Sequence, residues 1–362
     1  MGASSTFFAA TGLSTDADAM QAAEQATADM MAKFKAVKKK PKVVIFIERV
    51  DGIKIYGEDT GKFHIPYDIG RAIKKASGAE KVFGTGGAQT YGITWGDLKD
   101  EQSSFMVLGL TGKDLEVNGY VDGGILSFCY PGVNTFAKLA AGEHEGIETI
   151  HRQKIQRATC KAAGFQLGQQ IPVLCKPGFI VLMGALHNNW HVTYAEGLKE
   201  SLPVRTQVIG GVGLWEDYVY CDGLEFHDRS IMAAQTVAGR IAITIQGTDF
   251  QFATMGGESV NKTCKEAIDR HTADVAGRLL ADLGGPPDAM IAFSCVTRLR
   301  DPKIMDPKVL TAMMHKHFAG SSSGRSDMQL FGCFCGGEVF LGLEGDFTAG
   351  GDRLAVAGLR AK

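Results

Sequence analysis

The sequence predicts an α/β protein built from three degenerate α/β repeats, with mixed sheets set around a central pocket. Three observations lead there. Short runs rich in Val, Ile and Phe alternate with longer segments rich in Ala, Glu and Lys, the alternation of buried strands with helices. The alternation comes round three times in the same order. In each round one strand ends on glycine, at Phe83-Gly84, Ile209-Gly210 and Phe331-Gly332.

The elements follow in order. Ser14, Thr15 and Asp16 offer an N-cap to an Ala-, Met- and Glu-rich helix over residues 16–36. Residues 42–48 read as a buried strand, and residues 50–66 as a long loop. A helix near 68–77 precedes a glycine-ended strand over 81–87, and 104–110 is a further strand. The second copy has a helix over 147–168, a strand over 178–184, a helix near 192–202, a glycine-ended strand over 207–213 and a strand over 237–245. The third has a helix over 261–283, a strand over 289–295, a helix near 307–318, the glycine-ended strand from Met328 and a closing strand over 353–359. Val43 to Phe83 and Ile291 to Phe331 are both forty residues apart, which supports the repeat.

Composition removes several function classes. With 38 basic and 40 acidic residues the net charge is -2, so no basic surface is expected and nucleic acid is excluded as a partner. The basic run from Lys35 to Lys42 reads as a solvated helix end, where cations are favoured. No apolar run reaches the roughly 18 residues of a membrane span, so no membrane association is expected. Residues 1–15 lack the basic and apolar regions of a secretory signal. A cytoplasmic location and thiol cysteines follow as expectations. The eight cysteines include no C-x-x-C pair, which argues against a zinc ribbon.

The most informative stretch is Met328 to Phe340. An apolar run breaks at Gly336-Gly337, and the carboxylate Glu338 follows at once. Cys333 and Cys335 share one strand face. Cys295 and Arg298 close a strand of the same copy. A guanidinium there suits a carboxylate or phosphate, or lowers the pKa of a neighbouring thiol.

With these residues in place the chain resembles the FIST-domain family. The motifs are Gly332-x-x-x-x-Gly337-Glu338-Val339, Phe293-Ser294-Cys295-Val296-Thr297-Arg298, Gly12-Leu13-Ser14-Thr15 before an Ala-rich helix, and Val208-Ile209-Gly210-Gly211. The resemblance covers nearly the whole chain from Gly12. It implies an N-type region over 12–248, holding two repeats, and a C-type region over 249–361, holding the third. It further implies a cytoplasmic sensor that binds a small molecule and signals to a protein partner in trans. Cys333 and Cys335 stand where the family more usually has aromatic or hydroxyl residues, and the loop from Glu48 to Asp68 is long for the first half.

The expected ligand site is therefore Cys295, Arg298, Cys333, Cys335 and Glu338. Two other chemistries remain open. Cys295, Cys333 and Cys335 are a candidate soft-metal site. His187 and His191 are candidate ligands for haem, which some members of the family bind, and this reading makes the protein a gas sensor or redox protein. The other is an enzyme with Cys295 or Ser294 as nucleophile. No phosphate loop or nucleophile elbow is present. A homo-oligomer is compatible with the sequence.

Overall fold

The computed structural model describes residues 6–16, 18–49, 66–87, 104–122, 147–185, 190–213, 217–222, 240–257, 264–295, 298, 307–319, 327–350 and 353–362. They form three mixed sheets and six helices. The first unit runs β1 (Phe8–Ser14), α1 (Ala19–Ala36), β2 (Val43–Arg49), α2 (Pro66–Ser77), β3 (Lys81–Gly87) and β4 (Ser104–Thr111). The second runs β5 (Glu116–Val121), α3 (Ile147–Gln170), β6 (Gly178–Ala185), α4 (Trp190–Ser201), β7 (Val208–Gly213), β8 (Asp217–Cys221) and β9 (Arg240–Gln246). The third runs β10 (Phe250–Gly257), α5 (Lys265–Leu283), β11 (Ala289–Cys295), α6 (Pro307–Phe318), β12 (Gln329–Cys335), β13 (Gly337–Leu341), β14 (Phe347–Gly350) and β15 (Leu354–Ala361).

The sheet orders are β1-β4-β2-β3-β8, β14-β13-β7-β6-β9-β5 and β10-β15-β11-β12. Each unit thus repeats one topology. Its first strand lies antiparallel to its last, the last antiparallel to the second, and the second parallel to the glycine-ended third. The parallel pair needs a crossover, and α2, α4 and α6 supply it. The register makes the repeat exact in position: Gly84 lies beside Phe46, Gly210 beside Leu182 and Gly332 beside Ala292. Gly332 takes φ +128°, and a Cβ there would stand 1.9 Å from the Ala292 carbonyl oxygen. Only glycine fits that place.

The structure corrects the sequence reading in three respects. Each unit opens on a strand, β1, β5 or β10, ahead of the helix taken as its start. The forty-residue spacing is not a register, since Phe83 pairs with Ile45 while Phe331 pairs with Ile291. Finally, Glu338 is not beyond the strands but inside β13. This strand crosses to the second unit and adds antiparallel to β7. In the same way β8, of the second unit, adds to β3 of the first.

Side-chain alternation gives each sheet an inward and a helix-covered face. In the first sheet Ile45, Ile47 and Phe83 face a core shared by all three units, while Val44, Phe46 and Val82 pack under α1 and α2. Asp18 caps α1 by accepting from the N–H groups of Met20 and Gln21, and four alanines let the helix lie close on β1. Helix α5 stops at Gly284, whose φ of 71° closes the last turn.

One clamp recurs at all three junctions between units. The first residue of each glycine-ended strand, or the residue before it, reaches the first strand of another unit. Gln207 Oε1 accepts from Thr254 Oγ1 at 2.6 Å, Gln329 Oε1 accepts from Thr11 N and Oγ1 at 3.0 Å each, and Lys81 Nζ donates to Asn118 Oδ1 at 2.6 Å and to the Val117 carbonyl at 3.0 Å. Unit one therefore holds two, two holds three, and three holds one: the units close a ring. Among the described residues no helix is long and apolar enough to cross a membrane.

Candidate functional site

The inward face of the third unit carries the cysteines. Strands β11 and β12 pair in register, with Cys295 beside Cys335 and Phe293 beside Cys333. Alternation puts all three thiols on the face that meets the second unit. The meeting point is Gly211 of β7, where a Cβ would lie 2.4 Å from the Phe293 ring and 2.8 Å from Cys335 Sγ. Two sheets approach there because that residue has no side chain.

Glu338 enters from β13, directly opposite Gly211. Its Oε1 accepts from Cys335 Sγ at 3.3 Å and its Oε2 from the Arg353 N–H at 3.1 Å. Cys335 Sγ also lies 3.4 Å from the Gly337 carbonyl. Cys335 and Glu338 are each 1% exposed. Burial pushes the Cys335 thiol well above its ordinary pKa, and the charge of Glu338 and the neighbouring Cys333 and Cys295 push it the same way. The thiol is thus a proton donor to the carboxylate rather than a ready nucleophile.

The metal reading gains nothing from this geometry. Cys335 Sγ is instead taken up by the Glu338 carboxylate and the Gly337 carbonyl. Among the described residues no group of three or more His, Cys, Asp or Glu is placed to hold a metal ion.

Arg298 makes its described contact with α5. It is 2% exposed, and its Nη2 lies 3.3 Å from Nδ1 of His271, on α5. Ser294 alternates to the face of β11 opposite Cys295. His187 lies outside the described residues. His191 belongs to the first turn of α4, with its side chain outside them. His64 is also outside, and His317 is held by Asp269 at 2.7 Å.

A second buried polar group was invisible in the sequence. Arg240 Nη1 lies 2.9 Å from Asp122 Oδ2, which also accepts from Tyr194 OH at 3.0 Å, and the guanidinium stands 4.9 Å from the Tyr194 ring centre. Asp122 and Arg240 are far apart in the chain and become neighbours only through the antiparallel pairing of β5 and β9. The two charges are matched within this group, which reads as a packing device of the second unit.

Two cavities lined by described residues lie along β1 and β12, and none of Cys295, Arg298, Cys333, Cys335 and Glu338 lines either of them.

No protein-family model matches the chain, and no curated protein matches it. Among solved structures it is similar to a cyanuric acid hydrolase from A. caulinodans, at 10% identity and a TM-score of 0.40, covering 98% of this chain and 100% of that one. A second, described as "Cyanuric acid hydrolase: evolutionary innovation by structural concatenation", is similar at 12% identity and a TM-score of 0.40, with the same coverage.

Proposed function

We propose that the protein is a cytoplasmic small-ligand sensor of the FIST type, signalling to a separate protein, with Glu338 and Cys335 at the centre of its ligand site. The observation that carries this reading is the carboxylate of Glu338, 1% exposed on the inward face. At the equivalent place in the other crossing strand, opposite Thr85 of β3, stands Val219. A buried carboxylate costs several kcal/mol unless its partners repay it. Only one of the two equivalent positions buries a carboxylate, which supports a role beyond packing. A carboxylate beside a protonated thiol suits a ligand that presents an ammonium or amide N–H.

The test is a thermal-shift panel of amino acids and small amines on wild type, Glu338→Gln and Arg298→Ala. A stabilising member of the panel should lose its effect in Glu338→Gln. An equal shift in wild type and both variants, or no shift anywhere in the panel, rejects the site.

A second reading, an enzyme using Ser294, rests on one observation. Ser294 is 1% exposed, and among the described residues its hydroxyl has no hydrogen-bond partner. A buried hydroxyl left in that state is costly and asks for an explanation. Labelling of intact protein with a fluorophosphonate, followed by peptide mass spectrometry, should modify Ser294 if it is a nucleophile; an unmodified Ser294 removes this reading.

A further inference from the structure

The outer edge of β1 carries a backbone group that the described residues leave without a partner. Strand β1 is the edge of its sheet. The Thr11 N–H donates to Gln329 rather than to β4. Leu110, the β4 partner of Ala9, gives its carbonyl to Lys42 N at 2.9 Å, on the β2 side. In an antiparallel pair such orientations alternate, so Phe7, Ala9 and Thr11 all turn their N–H and C=O groups away from β4. Thr11 is met twice, by Gln329 on its N–H and by Lys33 Nζ on its carbonyl at 2.7 Å. The Phe7 carbonyl lies 3.4 Å from Lys39 Nζ. Ala9, between them, is 6% exposed, and among the described residues no group outside the sheet ladder meets its N–H or its carbonyl. A buried backbone donor and acceptor without partners is rare and costly.

Ala9 lines a cavity of about 630 Å³ whose wall also includes Phe8, Ala10, Pro286, Pro287 and Met328. A second cavity of about 220 Å³ shares Lys33, Met328 and Gln329 with it. The other two junctions carry larger side chains in the equivalent place. Val117, in the place of Ala9, gives its carbonyl to Lys81. Phe252, in the same place in the third unit, packs on Phe179 with ring centres 5.2 Å apart. At this junction the corresponding residues are Ala9 and Ala289, too small to fill it.

We propose that this groove binds a short extended peptide segment, recognised through its main chain along the edge of β1. One residue's N–H and C=O pointing the same way is the pattern that a neighbouring strand meets, and the complementary group is another peptide unit. The edge already accepts such a group one step along, since Gln329 docks on Thr11 through a side-chain amide oxygen. Pro286 and Pro287 have no N–H, so that part of the wall offers apolar contact, while Lys33, Asp288 and Asp327 add charged groups to the lining. The bound segment places its backbone against Ala9 and its side chains in the cavity. This site is separate from Glu338 and Cys335 and stands or falls without them.

The test is a titration of the full-length, isotope-labelled protein with a random library of acetylated, amidated tetrapeptides at millimolar concentration, followed by amide NMR. The Ala9 amide should shift and its hydrogen exchange should slow at least tenfold. The same library with N-methylated backbones should leave Ala9 unmoved. Ala9→Pro removes the donor at an edge position that tolerates proline and should abolish binding with the melting temperature retained. An Ala9 amide that no library moves overturns the proposal. So does equal binding by the N-methylated library, a readout that holds even if Ala9→Pro fails to fold.

Discussion

The junction between units two and three and the junction between units three and one use the same clamp and differ in what lies beside it. At the first, Gln207 holds Thr254, and Phe179 packs on Phe252. At the second, Gln329 holds Thr11, and alanines stand where the two rings would be. The polar contact sets where one unit meets the next, and the apolar filling decides whether the meeting is sealed. A ring of three like units can thus keep its closure and open one junction for other use. The largest test of this distinction is Phe179→Ala. Phe179 is fully buried, and its loss removes apolar burial and leaves a void. Urea unfolding should show a loss of about 3–5 kcal/mol. A loss below about 1 kcal/mol would mean that the sealed junction is no better packed than the open one.

Much of this was legible in the sequence because it depends on local pattern. The three glycines at 84, 210 and 332 mark a place where the second and third strands of each unit come close, and glycine is visible wherever it stands. The helices were legible from Ala-rich stretches with a capping residue such as Asp18. The first strands were not. Phe8 to Ser14 includes two alanines, a threonine and a glycine, a weak strand signal by composition, and its strand character comes from pairing with β4 almost a hundred residues later. The crossing of β13 was hidden for a related reason. Its partner β7 belongs to another unit, and no local pattern says which sheet a short strand joins. At the site, alternation along one strand was enough to put Cys333 and Cys335 on one face, whereas Cys295 joins them only through the parallel pairing of β11 with β12. The described contact of Arg298 with His271 was not foreseen, since it depends on how α5 packs over the sheet.

The next test compares the two glutamines. Gln329 satisfies both a backbone N–H and a hydroxyl of Thr11, whereas Gln207 satisfies only the Thr254 hydroxyl. A hydroxyl can rotate to another acceptor; a strand N–H cannot. Gln329→Ala should therefore cost about 1–3 kcal/mol, and Gln207→Ala about 1 kcal/mol. Hydrogen exchange at Thr11 should quicken in Gln329→Ala alone. Equal costs would mean that the open junction depends on its clamp no more than the sealed one does.

The smallest expected effect is at the third junction. Lys81 makes the contact that glutamines make elsewhere, donating to Asn118 and to the Val117 carbonyl. A glutamine amide offers a donor to the same oxygens and an acceptor besides, on a shorter stem. If the three junctions are variations on one clamp, Lys81→Gln should leave stability within about 1 kcal/mol of wild type. Lys81→Met, which keeps the apolar stem but removes every donor, should cost more, because the Val117 carbonyl then loses the partner that closes its edge. Denaturant titration of the pair decides it. If Lys81→Gln were as damaging as Lys81→Met, the ammonium charge itself would be required, and this third junction would be a different device from the other two. If neither mattered, closure between units one and two would rest on apolar contact such as Phe83 against Gly119, and the clamp would hold only the junctions made by glutamine.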